Sequence, residues 1–354
     1  MVLRAPPTAL WAIPVSDLAG VARHALDVAR AGVPGWRLVF LTPPGDLPRE
    51  LKAVGAAVLE VPFGPDHGLR ASVKALRHTV AKLRPQVVHT HLPYADIVAA
   101  LTVGRGPCLI TTEHGIAVDD LVYHRSGAKA RAMSAAHTAR LRRFDGAIAV
   151  SHATAAAMER KWHPRTPATV IHNGLDARTV QPRPPGLRVL SLARLAPEKR
   201  LDRLVDAFGE LARSQPTATL TLAGSGPLEG DLRRQVDRLG LNDRVSLPGF
   251  VNAKTAMAEH DALAMLSVWE NCSYALLDAA AAGLGVVASN VGANPEILPA
   301  RCLVDATDVA AVAESLACQG LEPEQRPDLH DWPTVAQMAH GIAGVYDAVT
   351  GTQS

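Results

Sequence analysis

The sequence is poor in cysteine and aromatic residues and has little excess charge of either sign. Four cysteines in 354 residues are too few and too scattered for a disulfide framework or a zinc knuckle, which favours a reducing compartment, the cytoplasm. The net charge of +2 and the aromatic content of 4% do not indicate an RNA-binding surface, so we expect no nucleic-acid partner. The cysteines are Cys108, Cys272, Cys302 and Cys318.

Long apolar runs are also lacking. The apolar stretch at 9–15 is interrupted by Pro14 and has no small-residue cleavage pattern, so we expect no signal peptide. No uninterrupted apolar run reaches the roughly 20 residues that cross a bilayer. We therefore expect a cytoplasmic protein without a membrane-spanning helix.

Hydrophobic residues, at 48%, occur as short runs between longer helical patterns. Runs of this length that are apolar on both faces are typical of buried parallel strands joined by crossover helices. The chain exceeds the usual size of one core, which predicts two domains of roughly 150–180 residues. The predicted strands are 36–41, 56–61, 87–89, 109–111, 147–150 and 169–172, then 188–192, 218–223, 245–247, 262–266, 286–289 and 303–304.

A proline-rich connector at 181–186 separates the two sets of runs. The fold class that we predict is α/β, with two doubly wound Rossmann-like domains facing each other across a cleft. The predicted domains are 1–180 and 187–333, followed by a final helix at about 334–349 within a C-terminal segment, 334–354. Because open parallel sheets bind ligands beyond the carboxyl ends of their strands, we expect the site in the cleft.

The segment from Glu270 to Asp278 carries two carboxylates, one on a loop and one on a helix that begins between them. The exposed amides and positive dipole of a helix N-terminus favour phosphate, and carboxylates accept hydrogen bonds from sugar hydroxyls. Upstream, Arg194 and Lys199 follow a short apolar run and could neutralise a diphosphate. The pattern indicates a nucleoside-diphosphate sugar as the ligand.

A turn at Gly224-Ser225-Gly226 follows another predicted strand and would let backbone approach a ligand closely. Together with the segments above, it forms an ordered set that resembles the retaining glycosyltransferases of family 4, which have the GT-B fold and form glycosyltransferase group 1. The set comprises Ala193–Lys199, Ala223–Leu228, Gly249–Val251, Glu270–Asp278 and Val291–Ile297, with thinner matches at Thr112–Gly115, Ala149–Ser151 and Val170–Asp176.

The resemblance implies transfer of a sugar from a nucleotide-diphosphate donor to an acceptor hydroxyl with retained anomeric configuration. It makes the first domain the acceptor side and the second the donor side, and returns the final helix to the first domain. The implied catalytic residues are Arg194 and Lys199 on the diphosphate, Glu270 on the sugar and His114 on a sugar hydroxyl. The implied donor-binding residues are Gly20, Gly224, Gly226, Asn271, Cys272, Ser273, Tyr274 and Asp278.

The chain departs from the family pattern in several places. Asp278 replaces a glutamate assigned to the ribose hydroxyls, Gly285 a proline, and Ala293 a glycine. In the glycine-rich loop near the N-terminus only Gly20 remains, and we expect Ser16 or Asp17 to cap the helix that follows it.

No metal or cofactor is expected beside the donor. The chain has no Asp-x-Asp triplet to hold a divalent cation on a diphosphate. The alternation in His89-Thr90-His91 is interpreted as placing the two imidazoles on opposite faces of a strand, which argues against shared metal ligation.

The stretch from Tyr123 to Phe144 carries six basic residues and no acidic one. Such a stretch could dock on the cytoplasmic membrane face, bind an anionic acceptor, or form an ordinary solvated helix face. The resemblance favours a lipid-linked or saccharide acceptor in cell-envelope or polysaccharide synthesis. The basic residues are Arg125, Lys129, Arg131, Arg140, Arg142 and Arg143.

Two alternatives remain open at the level of sequence. A nucleotide-sugar epimerase of the same architecture would convert the donor without an acceptor. A non-catalytic nucleotide-sugar-binding subunit is suggested by Asp278 and by the eroded glycine loop. An NAD enzyme is disfavoured because no Gly-x-Gly-x-x-Gly follows the first strand.

Overall fold

A computed structural model describes residues 5–116, 135–176 and 183–351. The chain divides into two compact units. Unit 1 comprises Met1–Gly174 and Pro333–Ser354, and unit 2 comprises Leu175–Trp332. Each unit has one parallel sheet with helices, so the prediction of two Rossmann-like α/β units is confirmed.

Unit 1 has a seven-stranded sheet in the order β3-β2-β1-β4-β5-β6-β7, with every pairing parallel. Its strands are β1 (Thr8–Ala12), β2 (Arg37–Thr42), β3 (Ala57–Glu60), β4 (Val87–His91), β5 (Cys108–Glu113), β6 (Gly146–Ala149) and β7 (Thr169–Val170). Its helices include α1 (Gly20–Ala31), α2 (Asp46–Ala53), α3 (Leu69–Leu83), α4 (Pro93–Thr102) and α5 (His152–Trp162).

Unit 2 has a six-stranded sheet in the order β10-β9-β8-β11-β12-β13, again parallel throughout. Its strands are β8 (Arg188–Leu192), β9 (Thr219–Ala223), β10 (Val245–Gly249), β11 (Ala262–Met265), β12 (Gly285–Ser289) and β13 (Leu303–Val304). Its helices are α6 (Leu201–Ser214), α7 (Glu229–Arg238), α8 (Ala253–Glu259), α9 (Tyr274–Ala281), α10 (Asn294–Ile297) and α11 (Val309–Leu321).

The last helix, α12 (Val335–Thr350), belongs to unit 1. Thr334 and Gln337 form a reciprocal capping box at its start, which satisfies backbone donors that the helix itself cannot pair. Its apolar side enters the unit 1 core, where Met338, Ile342 and Tyr346 are fully buried.

The N-terminal apolar stretch is strand β1, at the centre of the unit 1 sheet and buried along its whole length. The predicted cap of α1 is wrong. The helix begins at Gly20 with Ala19 as the N-cap residue and no side-chain cap. Ser16 instead lies beside the start of α2, where its carbonyl accepts from the Leu47 amide.

The end of the connector is fixed to unit 2 by Arg326. This guanidinium is largely buried and donates to backbone carbonyls from three different segments. Its burial is tolerable because several oxygens solvate the charge. The acceptors are the carbonyls of Arg183, Pro184, Gly283, Gln319 and Gly320.

Gly285, where the family pattern has proline, begins β12 against the backbone of α11. A Cβ at this position would lie 2.2 Å from the carbonyl oxygen of Gln319. The Gly285 amide also donates to the Asp261 carbonyl, a hydrogen bond that proline could not make. The close packing of α11 therefore accounts for glycine here. None of the helices in the described part of the chain has both the length and the apolar character needed to cross a bilayer.

Candidate functional site

The loops after β8, β9 and β11 meet at the carboxyl edge of the unit 2 sheet, because these strands are parallel neighbours. In this edge Lys199 Nζ lies 2.5 Å from Glu270 Oε1. Ser267 Oγ donates to the same oxygen at 2.6 Å. The Val268 amide donates to the Glu198 carbonyl at 2.8 Å, which ties the two loops together. Lys199 and Glu270, predicted separately, therefore form one ion pair.

Arg194 does not join this pair. Its guanidinium lies 2.5 Å from Glu198 Oε1, and its side chain is 66% exposed. Burial by itself would raise the pKa of the Glu198 carboxyl, but the hydrogen bond from Arg194, a backbone hydrogen bond and the charges of Arg194 and Lys199 together lower it. Each predicted phosphate-binding cation thus has a carboxylate partner of its own.

The two glycines of the turn after β9 approach the protein's own backbone. A Cβ at Gly224 would lie 2.0 Å from the Ala193 carbonyl oxygen, and one at Gly226 would lie 2.4 Å from that of Leu195. The amide of Leu195 in turn donates to the Ser225 carbonyl. These glycines therefore hold the Arg194 loop at the edge of the sheet.

Helix α9 begins beside Glu270. Its N-cap residue, Ser273, makes no side-chain capping hydrogen bond. The first amides of a helix have no carbonyl partner within the helix, and this end of a helix suits an anion. Cys272 is buried, while Asn271, Ser273 and Tyr274 are partly buried. Asp278 lies one turn further along α9 and is also partly buried. The predicted donor-binding segment is thus brought together with the ion pair.

Gly292 was not among the predicted site residues, yet it supports Glu270 directly. It has a φ of +55°, and a Cβ there would lie 1.8 Å from the Glu270 carbonyl oxygen. The next amide, that of Ala293, donates to this carbonyl at 3.3 Å. Gly292 lies in the Val-Gly-Ala-Asn-Pro segment, which belongs to the set that resembles the family. This was the sequence feature that could have identified Gly292 as a site residue.

At the carboxyl edge of the unit 1 sheet, His114 follows β5 directly. Its Nε2 lies 2.9 Å from His91 Nδ1, at the end of β4. Burial, followed by the neighbouring histidines, lowers the pKa of His114 well below its ordinary value of 6.5. His114 is therefore a neutral imidazole with one ring nitrogen already engaged.

The interpretation of the His89-Thr90-His91 run is wrong. The two imidazoles lie on the same side of β4, with ring centroids 4.5 Å apart. Residues two apart in a strand share a face, so the alternation should have placed them together. His89 bonds to Tyr346 Oη and Thr112 Oγ1, whereas His91 faces His114.

Most of the basic stretch lies outside the described residues. Arg140, which belongs to it, is not on the surface: its side chain is 1% exposed and pairs with Asp96 and Glu113. Burial raises the pKa of Glu113 to about 7, although the nearby Arg140 charge opposes this. Arg140 therefore cannot contribute to a membrane-docking face.

A cavity of about 100 Å³ lies at the ends of β1 and β2 in unit 1. Ser16 and Asp17 line it from the loop before α1, and Asp66 and His67 from the segment after β3. Gly20, the predicted glycine of this loop, is the first residue of α1 and has open space at its Cα.

Both units match models of glycosyltransferases. Residues 186–318 match the model described as glycosyl transferases group 1, and residues 18–179 match that of glycosyltransferase family 4. The fold and the two matches define a glycosyltransferase of the GT-B class. The chain belongs to the glycosyltransferase family 4 and group 1 proteins that these models describe.

Among curated relatives, the chain is 29% identical over 193 residues to a putative colanic acid biosynthesis glycosyltransferase of Escherichia coli, covering 50% of this chain and 48% of that protein. It is 34% identical over 142 residues to a GDP-mannose-dependent phosphatidylinositol monomannoside mannosyltransferase of Mycolicibacterium smegmatis, covering 36% and 37%. The matched region thus spans about half or less of these relatives.

A solved structure extends the similarity of fold to nearly the whole chain. The Anabaena protein HepE, solved in complex with UDP-glucose, is 21% identical and has a TM-score of 0.74. The alignment covers 98% of this chain and 97% of that one. At this identity the likeness shows the fold.

Proposed function

We propose that this protein transfers a sugar from a nucleoside-diphosphate donor to an acceptor hydroxyl, with retention at the anomeric carbon. The observation that carries the proposal is the Lys199–Glu270 pair beside the N-terminus of α9. A cation and a helix N-terminus suit the diphosphate, and the carboxylate suits the sugar. The fold and family membership support glycosyl transfer as the class of reaction.

In this mechanism, the bond between the anomeric carbon and the diphosphate oxygen breaks while the acceptor oxygen forms a new bond on the same face. A diphosphate oxygen takes the acceptor's proton, so no separate protein base is required. Lys199, Arg194 and the amides at 271–274 stabilise the negative charge that grows on the departing diphosphate. Arg194 turns from Glu198 to reach it. Lys199 has three donor hydrogens, so it binds the diphosphate while it stays bonded to Glu270.

Glu270 orients the sugar in this proposal. Its Oε1 already accepts from Lys199 and Ser267, which leaves Oε2 to accept from a sugar hydroxyl. The same contacts keep the carboxylate in one position, as a group that must align a reacting sugar requires. Asp278 binds the ribose hydroxyls, directly or through a water.

His114, in unit 1, hydrogen-bonds a hydroxyl of the transferred sugar in this proposal. With Nε2 bonded to His91, its Nδ1 edge serves a sugar hydroxyl. The partly buried and neutral imidazole supplies a hydrogen bond without adding charge beside the reacting centre. The acceptor is a saccharide or lipid-linked intermediate of envelope or polysaccharide synthesis, handled at the cytoplasmic face of the membrane. The hydroxyls of this acceptor bind in the cavity that Ser16 and Asp17 line.

Transfer needs no metal ion, since Lys199 and Arg194 supply the positive charge that a divalent cation would otherwise bring. Dialysis against a chelator should leave the rate unchanged. A complete loss of activity that magnesium restores would contradict this part of the proposal.

The experiment begins with a panel of UDP-, GDP- and ADP-sugars screened for thermal stabilisation. The sugar that stabilises most is then tested for turnover, and the anomer of the product is read by NMR. Release of nucleoside diphosphate with a retained anomer is expected. Conversion of the donor to its epimer, or no turnover with any donor, would overturn the proposal.

Lys199→Ala should lower turnover by about a hundredfold or more, the scale of losing a stabiliser of developing charge. Lys74→Ala on α3 removes an exposed lysine and serves as the control. Equal rates for the two variants would remove Lys199 from the mechanism.

A further inference from the structure

Three imidazoles of unit 1 gather beside Trp11. His24 comes from α1, His91 from the end of β4, and His114 from the segment after β5. Their ring centroids lie 5.8 Å (His24–His91), 4.9 Å (His24–His114) and 5.2 Å (His91–His114) apart. One ring nitrogen of each lies within 4.8 Å of the other two. The indole of Trp11 packs against this cluster, 4.4 Å from the His91 ring.

Two of these imidazoles have buried nitrogens that lack a hydrogen-bond partner among the described residues, namely His24 Nε2 and His91 Nε2. His24 Nδ1 faces Asn173 Oδ1 at 3.1 Å. Because a carbonyl oxygen only accepts, Nδ1 carries the proton of the neutral ring and Nε2 carries the lone pair. Leaving such an atom unsatisfied costs about 1–3 kcal/mol, so the cluster is prepared for something that accepts lone pairs.

We propose that His24, His91 and His114 form a binding site for a transition-metal ion of the zinc, cobalt, nickel and copper class. Imidazole is a preferred ligand of these ions, whereas magnesium and calcium prefer oxygen. Metal–nitrogen bonds of about 2.0–2.1 Å would bring the three nitrogens to about 3.3 Å from one another. Ring movements of about an ångström suffice, and the His91–His114 hydrogen bond gives way to the ion.

The protonation state of the cluster supports metal binding. Burial, the largest cause, lowers the pKa of His24 to about 4 and those of His91 and His114 well below 6.5. At neutral pH the ion therefore displaces no proton from an imidazolium. His114 is only partly buried and gives the ion a path from solvent. Three protein ligands leave a fourth position for water or an anion.

The ion acts as an inhibitor rather than a cofactor of transfer. This consequence rests on the proposed function, in which His114 faces the sugar. A metal ion on His114 reorients the ring and fills the space that the sugar hydroxyl would occupy.

The test is a titration of the whole protein with Co²⁺, followed by visible absorption and by quenching of tryptophan fluorescence. His24→Gln and His91→Gln should each weaken the binding of Co²⁺ by at least about tenfold. His152→Ala tests the rival site, because His152 and His172 form another histidine pair of unit 1, with ring centroids 5.7 Å apart and ring nitrogens within 4.8 Å of each other. Excess Mg²⁺ should not compete.

A measurement on the unaltered protein covers the case in which a variant does not fold. The electron paramagnetic resonance spectrum of the Cu²⁺ form should show nitrogen couplings from at least two imidazoles. Absence of Co²⁺ binding, nitrogen coupling from one imidazole or none, or Co²⁺ binding lost in His152→Ala but kept in His24→Gln would each overturn the site.

The inhibitory role has its own readout. Zn²⁺ should inhibit turnover of the unaltered enzyme reversibly, and His24→Gln, with near-normal turnover in chelator, should resist it. Equal inhibition of both forms would contradict the role. If no donor is turned over, the proposed function fails while the Co²⁺ spectrum still decides the metal site.

Discussion

Glu270 is held from two directions in the edge of the unit 2 sheet. Lys199 and Ser267 engage one oxygen of its carboxylate, and Gly292 passes close to its backbone carbonyl. The side chain and the main chain of this residue are therefore fixed by different loops. At the scale of single residues, small changes beside Glu270 should affect catalysis more than stability.

Gly292→Ala tests this directly. The added Cβ would meet the Glu270 carbonyl oxygen at 1.8 Å, so the backbone of Glu270 must move. We expect turnover to fall by at least about tenfold, since misplacement by an ångström can cost far more.

Gly240→Ala is the control for backbone strain. Gly240 also has a positive φ, +66°, but a Cβ there meets nothing within 4 Å. It should lose only the stability that alanine costs at a positive φ, and it should keep its activity. Equal activities of the two variants would show that Gly292 does not position Glu270.

Glu113 makes the stability of unit 1 depend on pH. Its pKa is raised to about 7 in the folded protein, mainly by burial, from an ordinary value of 4.5. The folded state therefore binds this proton more tightly, and the stability it contributes is lost as pH rises from about 4.5 to 7.

Glu113→Gln keeps the group neutral at every pH. Relative to the unaltered protein, its free energy of unfolding should increase between pH 5 and pH 8, as measured by urea denaturation. Glu210→Gln, which removes an exposed carboxylate on α6, provides the control. A difference that stays constant with pH in Glu113→Gln would contradict the assignment.

At the scale of elements, α12 is joined to the unit 1 sheet by a buried chain of hydrogen bonds. Trp11 Nε1 donates to Tyr346 Oη at 2.7 Å, and this hydroxyl lies 2.6 Å from His89 Nδ1. Since a phenol has one proton, it donates to His89, whose Nε2 then donates to Thr112 Oγ1 at 2.7 Å.

Tyr346→Phe removes the centre of this chain and leaves two buried groups unpaired. We expect a loss of about 2–6 kcal/mol in the free energy of unfolding, at about 1–3 kcal/mol for each group. Tyr94→Phe is the matched control, because Tyr94 Oη has a contact only with Ser72 Oγ, at 3.1 Å, in the described structure. Similar losses in both would mean that the chain does not anchor α12.

Strand β4 shows how a local pattern can be misjudged. His89 and His91 lie two residues apart, so the period of a strand puts both on one face. Applied correctly, that rule would have predicted that they lie together. The contribution of His24 could not have been predicted, because α1 reaches β4 only through the tertiary packing of unit 1.

At the scale of the whole molecule, apolar runs predicted both parallel sheets to within a few residues at most strands. The apolar stretch that forms β1 was assessed only as a signal peptide and rejected. A single short apolar run does not reveal its place in a sheet. The motif order placed Lys199 and Glu270 in one donor site, but it did not predict that they form an ion pair. The Arg194–Glu198 pair and the burial of Arg140 depend on side-chain packing, which motif spacing does not specify.

The account depends on the binding of a nucleoside diphosphate to unit 2 through Lys199 and the first turn of α9. Isothermal titration calorimetry with UDP, GDP and ADP measures the affinity of that binding directly. At least one nucleotide should bind, and Lys199→Ala should weaken it by about tenfold or more while Lys74→Ala does not, as expected for a charge-assisted contact. Binding of none of the three, or equal affinities in both variants, would contradict the account.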